Sequence, residues 1–113
     1  MSTRARPGPS RLSRSLEHCI TLCRKTVSAY LEPAEARENT FGRTLLSAIA
    51  AMQTAVAHDT DSTPERRKAA LEIAAKLCYS AAEECRRHGF DEPLLHAADA
   101  CERAATLCKN ALR

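Results

Sequence analysis

Residues 71–88 read Leu71-Glu-Ile-Ala74-Ala-Lys-Leu-Cys78-Tyr-Ser-Ala81-Ala-Glu-Glu-Cys85-Arg-Arg-His88, and Gly89 follows. Leu71, Ala74, Cys78, Ala81, Cys85 and His88 return at steps of three and four. That step puts them on one face of an α-helix. Glu83, Glu84, Arg86 and Arg87 fall on a solvated face, with the spacing of helical ion pairs. Residues 94–111 repeat the pattern through Leu94, Ala97, Cys101, Ala104, Cys108 and Ala111. Between the two segments, Gly89 is expected to close the first helix as a left-handed cap, and Asp91-Glu-Pro93 to open the next.

Working outward, Leu12, Leu16, Cys19, Cys23, Thr26 and Tyr30 predict a first helix from about Ser10 to Leu31. Leu45, Ile49, Met52 and Val56 predict a second from about Pro33 to His58, weakest at Thr40-Phe-Gly42. Asp59-Thr-Asp-Ser-Thr-Pro64 reads as a turn, with Thr63 as N-cap and Pro64 as first residue of a third helix ending near His88. The fourth helix runs nearly to Arg113. Short connections make sequential helices antiparallel. The expected fold is therefore all-α, an up-down-up-down four-helix bundle over residues 11–113. Residues 1–10, rich in Arg, Pro and Ser, read as a disordered tail.

Composition fits this size of core. The 113 residues suit one domain, and the 44 % apolar content is too high for a disordered chain. With only 4 % aromatic residues and no Trp, the core must use small and aliphatic side chains. The net charge of +3 is carried by Arg4, Arg6, Arg11 and Arg14; the remainder is nearly neutral. A nucleic-acid-binding body is not expected. No apolar run is long enough to span a membrane, and the opening residues lack the apolar core of a signal peptide. The expected compartment is the reducing cytoplasm, where cysteines stay thiols.

There are six cysteines, and all fall on inward stripes. Each alone could be a small packed hydrophobe. Disulfides within a helix fit poorly, because Cys78 and Cys85, like Cys101 and Cys108, are two turns apart, about 10 Å. Counting about 1.5 Å of rise per residue from the base of helix one puts Cys19, Cys108 and Met52 near 12 Å. The same count puts Cys23, Cys78 and Cys101 near 20 Å, with Cys85 and then His88 higher. Inward sulfurs at these heights suggest a metal. Soft donors select Cu(I), zinc or iron–sulfur clusters. Structural zinc wants four ligands, often on a tight turn, and the chain has no Cys-x2-Cys. Cu(I) accepts two or three soft ligands and suits a helical stripe best, with zinc or iron as alternatives. Met52 and His88 join the candidate ligands on height alone, Met52 also being a natural core filler and His88 a natural helix-end residue.

The segments His18-Cys19-Ile-Thr-Leu-Cys23, Ala74 through His88 and Ala97 through Cys108 resemble the cysteine-rich four-helix-bundle copper-binding proteins, relatives of the bacterial copper storage proteins. In that family cysteines recur at steps of three and four and point into the bundle. The resemblance, over about residues 12–112, implies Cu(I) ligands at Cys19, Cys23, Cys78, Cys85, Cys101 and Cys108. Cysteines are fewer than is usual there. Helix two has none, and Ala74, Ala81 or Ala82, Ala97, and Ala104 or Ala105 stand where the repeat would continue. One or a few ions, held for copper buffering or storage or in a small copper site, is the expectation.

Other readings stay open. A thinned thiolate site with a free coordination position could be a copper or iron oxidoreductase acting on a small molecule or O₂. Without metal, Cys19 and Cys23 could be a thiol-redox pair, or the chain a helical interaction module. Alanine-rich faces suggest a homo-oligomer, a dimer or tetramer, under every reading. His18 and His96 read as surface residues and His58 as a helix-end residue.

Overall fold

The computed structural model describes residues 10–59 and 63–113. The expected tail, apart from Ser10, and the middle of the turn after Asp59 lie outside the described residues. The described chain is all helical: α1 Arg11–Tyr30, α2 Pro33–Glu38, α3 Thr40–Ala57, α4 Pro64–His88 and α5 Glu92–Ala111. Helix α1 packs against α3 and α5, and α4 against α3 and α5, while the short α2 lies on α3.

The second predicted helix is two helices. Asn39 has extended backbone (φ −88°, ψ 137°), and its side-chain oxygen accepts from Phe41 N at 2.8 Å and Gly42 N at 3.3 Å. An Asn that caps the next turn this way competes with helix continuation. The fold uses the break to lay α2 back over α3. At Gly42 the helices come so close that a β-carbon would stand 2.4 Å from the Ala36 carbonyl oxygen.

Local capping explains the other boundaries. Ser10 accepts from Ser13 N at the start of α1, and Thr63 from Arg66 N at the start of α4, where Pro64 holds the first position. Gly89 is not the left-handed cap expected. Its φ of 165° and ψ of −172° are extended, and lead the chain through a short connection into α5. The α5 N-cap, Asp91, makes no capping bond; its carboxylate accepts instead from Tyr30 Oη at 3.0 Å.

The core is aliphatic and small, as the composition requires. Leu16, Leu45, Leu71 and Leu94 are at most 1 % exposed, each contributing roughly 1.5–3 kcal/mol by burial. Ala74 and Ala81 of α4 and Ala97 and Ala104 of α5 are buried, and these two helices make the most extensive contact among the described elements. Small side chains allow that close approach, and leave room for sulfur between the backbones.

Each end of the helices is tied. At one end Asp59 accepts from the hydroxyls of Ser10 and of Ser13 (2.8 Å) and pairs with Arg67 at 3.2 Å, joining the starts of α1 and α4 to the end of α3. At the other, His88 stacks on Phe41 (centroids 4.1 Å apart) and meets Tyr30 edge-on at 5.4 Å. On the surface Arg87 pairs with Glu84 within α4, but Arg86 reaches across to Glu102 of α5 (3.1 and 3.3 Å) and to Asp99 (3.6 Å).

Candidate metal centre

All six cysteines have no exposed surface, and none is joined to another. Their helices supply them by the three-and-four step: α1 places Cys19 and Cys23 one turn apart, α4 places Cys78 and Cys85, and α5 places Cys101 and Cys108. The sulfurs of Cys19, Cys23 and Cys101 lie within 4.8 Å of one another, the one such group of three Cys, His, Asp or Glu donors among the described residues. Cys101 Sγ stands 3.5 Å from Cys23 Sγ and 3.6 Å from Cys19 Sγ. Cys78 lies near enough to Cys19 for the two thiols to influence each other.

Cys23 and Cys101, expected at one level, do meet, and Cys19, expected a layer lower, meets Cys101 as well. Cys101 lies close to both α1 cysteines, so Cys19 joins Cys23 and Cys101 in one group. Cys108 lies towards Arg67 and Asp59, and Cys85 towards Glu84 and Arg86; the charges of those residues act on their thiols. Met52 is fully buried in the same core. His88 is exposed at the far end of α4, in the ring stack with Phe41 and Tyr30.

The thiols are not equivalent. The interaction with Cys101, then those with Cys23 and Cys78, favour the Cys19 thiolate and outweigh burial, holding its pKa below the usual thiol range. At Cys23 the bond to Cys101 acts downward, but the bond to Cys19 and burial prevail and push it up. Cys78 is raised by its interaction with Cys19 and by burial, and Cys101 by its bonds to Cys19 and Cys23 and by burial. Burial pushes both Cys85 and Cys108 up to about 11. Of the six thiols, Cys19 is the one whose ionised form its neighbours favour.

This donor set has clear chemical limits. It offers three fully buried soft sulfurs, and no buried side-chain oxygen or nitrogen is left unpaired among the described residues. Hard cations want oxygen ligands. A structural zinc site wants four donors, and the group has three. Thiolate sulfur suits a soft ion of low coordination number.

The family model described as Csp, copper storage protein, matches residues 8–113. The chain belongs to the copper storage protein family. The match spans all five helices and all six cysteines, and copper is the metal the family implies. No curated protein and no solved structure matches the chain. As a member with six cysteines, it concentrates three of their sulfurs at one point and spreads the others along the core. No helix among the described residues is long and apolar enough to cross a membrane.

His18 is exposed, as expected, although it directly precedes the buried Cys19.

Proposed function

We propose that this chain binds Cu(I) through the thiolates lining its core, as a copper buffer or store. The observation that carries the reading is the fully buried sulfur group of Cys19, Cys23 and Cys101. Cu(I) is the ion best matched to two or three thiolates without water; zinc and iron are the lesser fits. In this reading Cys101 bridges the two α1 ligands, and Cys78 supplies a neighbouring donor. Cys85 and Cys108 take further ions towards the two ends. Met52 and His88 complete the ligand set, Met52 within the core and His88 at the end of α4.

The frame we propose is an antiparallel up-down-up-down four-helix bundle over residues 11–113, formed by α1, α3, α4 and α5. Two observations support it. The four helices close a ring of pairwise contacts. The start of α1, the end of α3 and the start of α4 meet at Asp59, whereas the end of α1, the start of α3 and the end of α4 meet at the Tyr30, Phe41 and His88 rings. A reducing cytoplasm would keep the thiols competent. A dimer or tetramer is the assembly we expect from the alanine-rich helices.

Binding must displace thiol protons, so affinity falls as pH is lowered. The test is an anaerobic Cu(I) titration against a competing chelator, with copper per chain counted by elemental analysis. One ion or more held against the chelator is expected. Replacing Cys23 and Cys101 together with Ser should remove the tightest binding; unchanged affinity and stoichiometry would overturn the assignment.

A further inference from the structure

A groove of about 200 Å³ runs between α1 and α5, lined by Arg11, Arg14, Ser15, His18, Arg103 and the small residues Ala100 and Ala104. It carries three guanidinium groups and no carboxylate. Among the described residues no acidic side chain pairs with Arg11, Arg14 or Arg103. The groove continues into a second hollow that shares His18, Ala100 and Arg103 and adds His96 and Asp99. Asp99 there is engaged by Arg86 at 3.6 Å.

Two features mark the charge as more than a solvated face. Arg11 and Arg14 occupy the first turn of α1, which has no acidic residue. A helix start disfavours cations, so these arginines work against their own helix. Local choices that oppose the fold are expected where a site needs them. The second feature is position. His18 precedes Cys19 on α1, and Ala100 and Ala104 lie one before and three after Cys101 on α5, so the groove follows the stretches of α1 and α5 that carry these two cysteines.

Building on the Cu(I) reading, we propose that this groove is a docking port for an anionic Cu(I) carrier, a small complex whose thiolate ligands also bear carboxylates. The guanidinium groups hold the carboxylates by charge-assisted hydrogen bonds, and the field steers the complex to the stretches of α1 and α5 that carry Cys19 and Cys101. Transfer is ligand exchange with copper at +1 throughout. Copper–sulfur bonds to the carrier break and bonds to Cys19, Cys23 and Cys101 form. The protons of the protein thiols pass to the released carrier thiolates.

The test measures copper per chain against time, after rapid desalting, with two donors: the Cu(I) complex of glutathione and the cationic Cu(I)–acetonitrile complex. In the variant Arg11→Gln, Arg14→Gln, Arg103→Gln, loading from glutathione at low salt should slow about tenfold, the low end of electrostatic steering. Loading from acetonitrile and the final copper per chain should stay at wild-type values. Added salt should slow the wild type only with glutathione. Equal rates from glutathione in variant and wild type, or equal slowing with both donors, would overturn the port. Failure of the wild-type chain to take copper from acetonitrile would overturn the Cu(I) reading itself, and the port with it.

Discussion

Cys101 is the residue on which the sulfur group turns, because it alone touches both α1 cysteines. Its loss should therefore differ from loss of an outer thiol. Cys101→Ser is expected to weaken the tightest Cu(I) site by at least about 100-fold, beyond the roughly 10- to 100-fold that losing an outer partner of a metal ligand costs. Cys85→Ser and Cys108→Ser should lower total copper while leaving the tightest affinity within about threefold, well under 1 kcal/mol. Competition titrations of the three variants separate these outcomes; equal losses would mean that no sulfur group is privileged. The inward stripe was legible at this scale, since steps of three and four place all six cysteines on buried faces. Which three meet was not. A helix start displaced by two residues moves a sulfur about 3 Å along the axis, a large part of the spacing between the layers.

The elements show the same boundary between pattern and contact. Thr63 and Pro64 announce the start of α4 because their cap is local chemistry, and the structure keeps it. Gly89 and Asn39 were harder. Gly89 stands where a left-handed cap would stand, but the chain leaves α4 extended, and Asp91 turns to Tyr30 instead of capping α5. At Asn39 the decisive fact is that α2 folds back onto α3, a tertiary contact with no periodic signature. Gly42 is its requirement. Gly42→Ala would gain about 1 kcal/mol of helix propensity. Its β-carbon, however, meets the Ala36 carbonyl oxygen at 2.4 Å and Ala36 Cα at 2.7 Å, both backbone atoms that can move only with α2. Overpacking of this kind costs about 1–3 kcal/mol, so the net effect should be destabilising and lower Tm by several degrees. A thermal melt of the metal-free variant checks it, and an unchanged or raised Tm would show that α2 lifts away freely.

The whole metal-free molecule should lose stability at both ends of the pH scale, for separable reasons. At the acid end the group is Asp59. Burial pushes its carboxyl up, but the Ser10 and Ser13 hydroxyls and Arg67 outweigh burial and hold it below the ordinary 3.8. A depressed carboxyl stabilises the fold above its unfolded pKa, and that contribution is lost as pH falls through the folded value. The acid limb thus begins near pH 4, and Asp59→Asn should flatten it. At the alkaline end the groups are Cys85 and Cys108, raised by burial from 9.0 to about 11. Between those values the unfolded chain has released thiol protons that the folded chain still holds, so stability falls as pH rises. Two pKa units make this about 2.7 kcal/mol for each group, a large share of the roughly 5–15 kcal/mol that holds a domain together. Cys23, Cys78 and Cys101 act in the same sense and Cys19 in the opposite one. Urea titrations under reductant should show the midpoint dropping between pH 9 and 11. The double variant Cys85→Ala, Cys108→Ala should start from a lower midpoint, because small core truncations leave cavities, yet lose less of it over that interval. A limb as steep as the wild type's would place the alkaline proton release elsewhere than these two buried thiols.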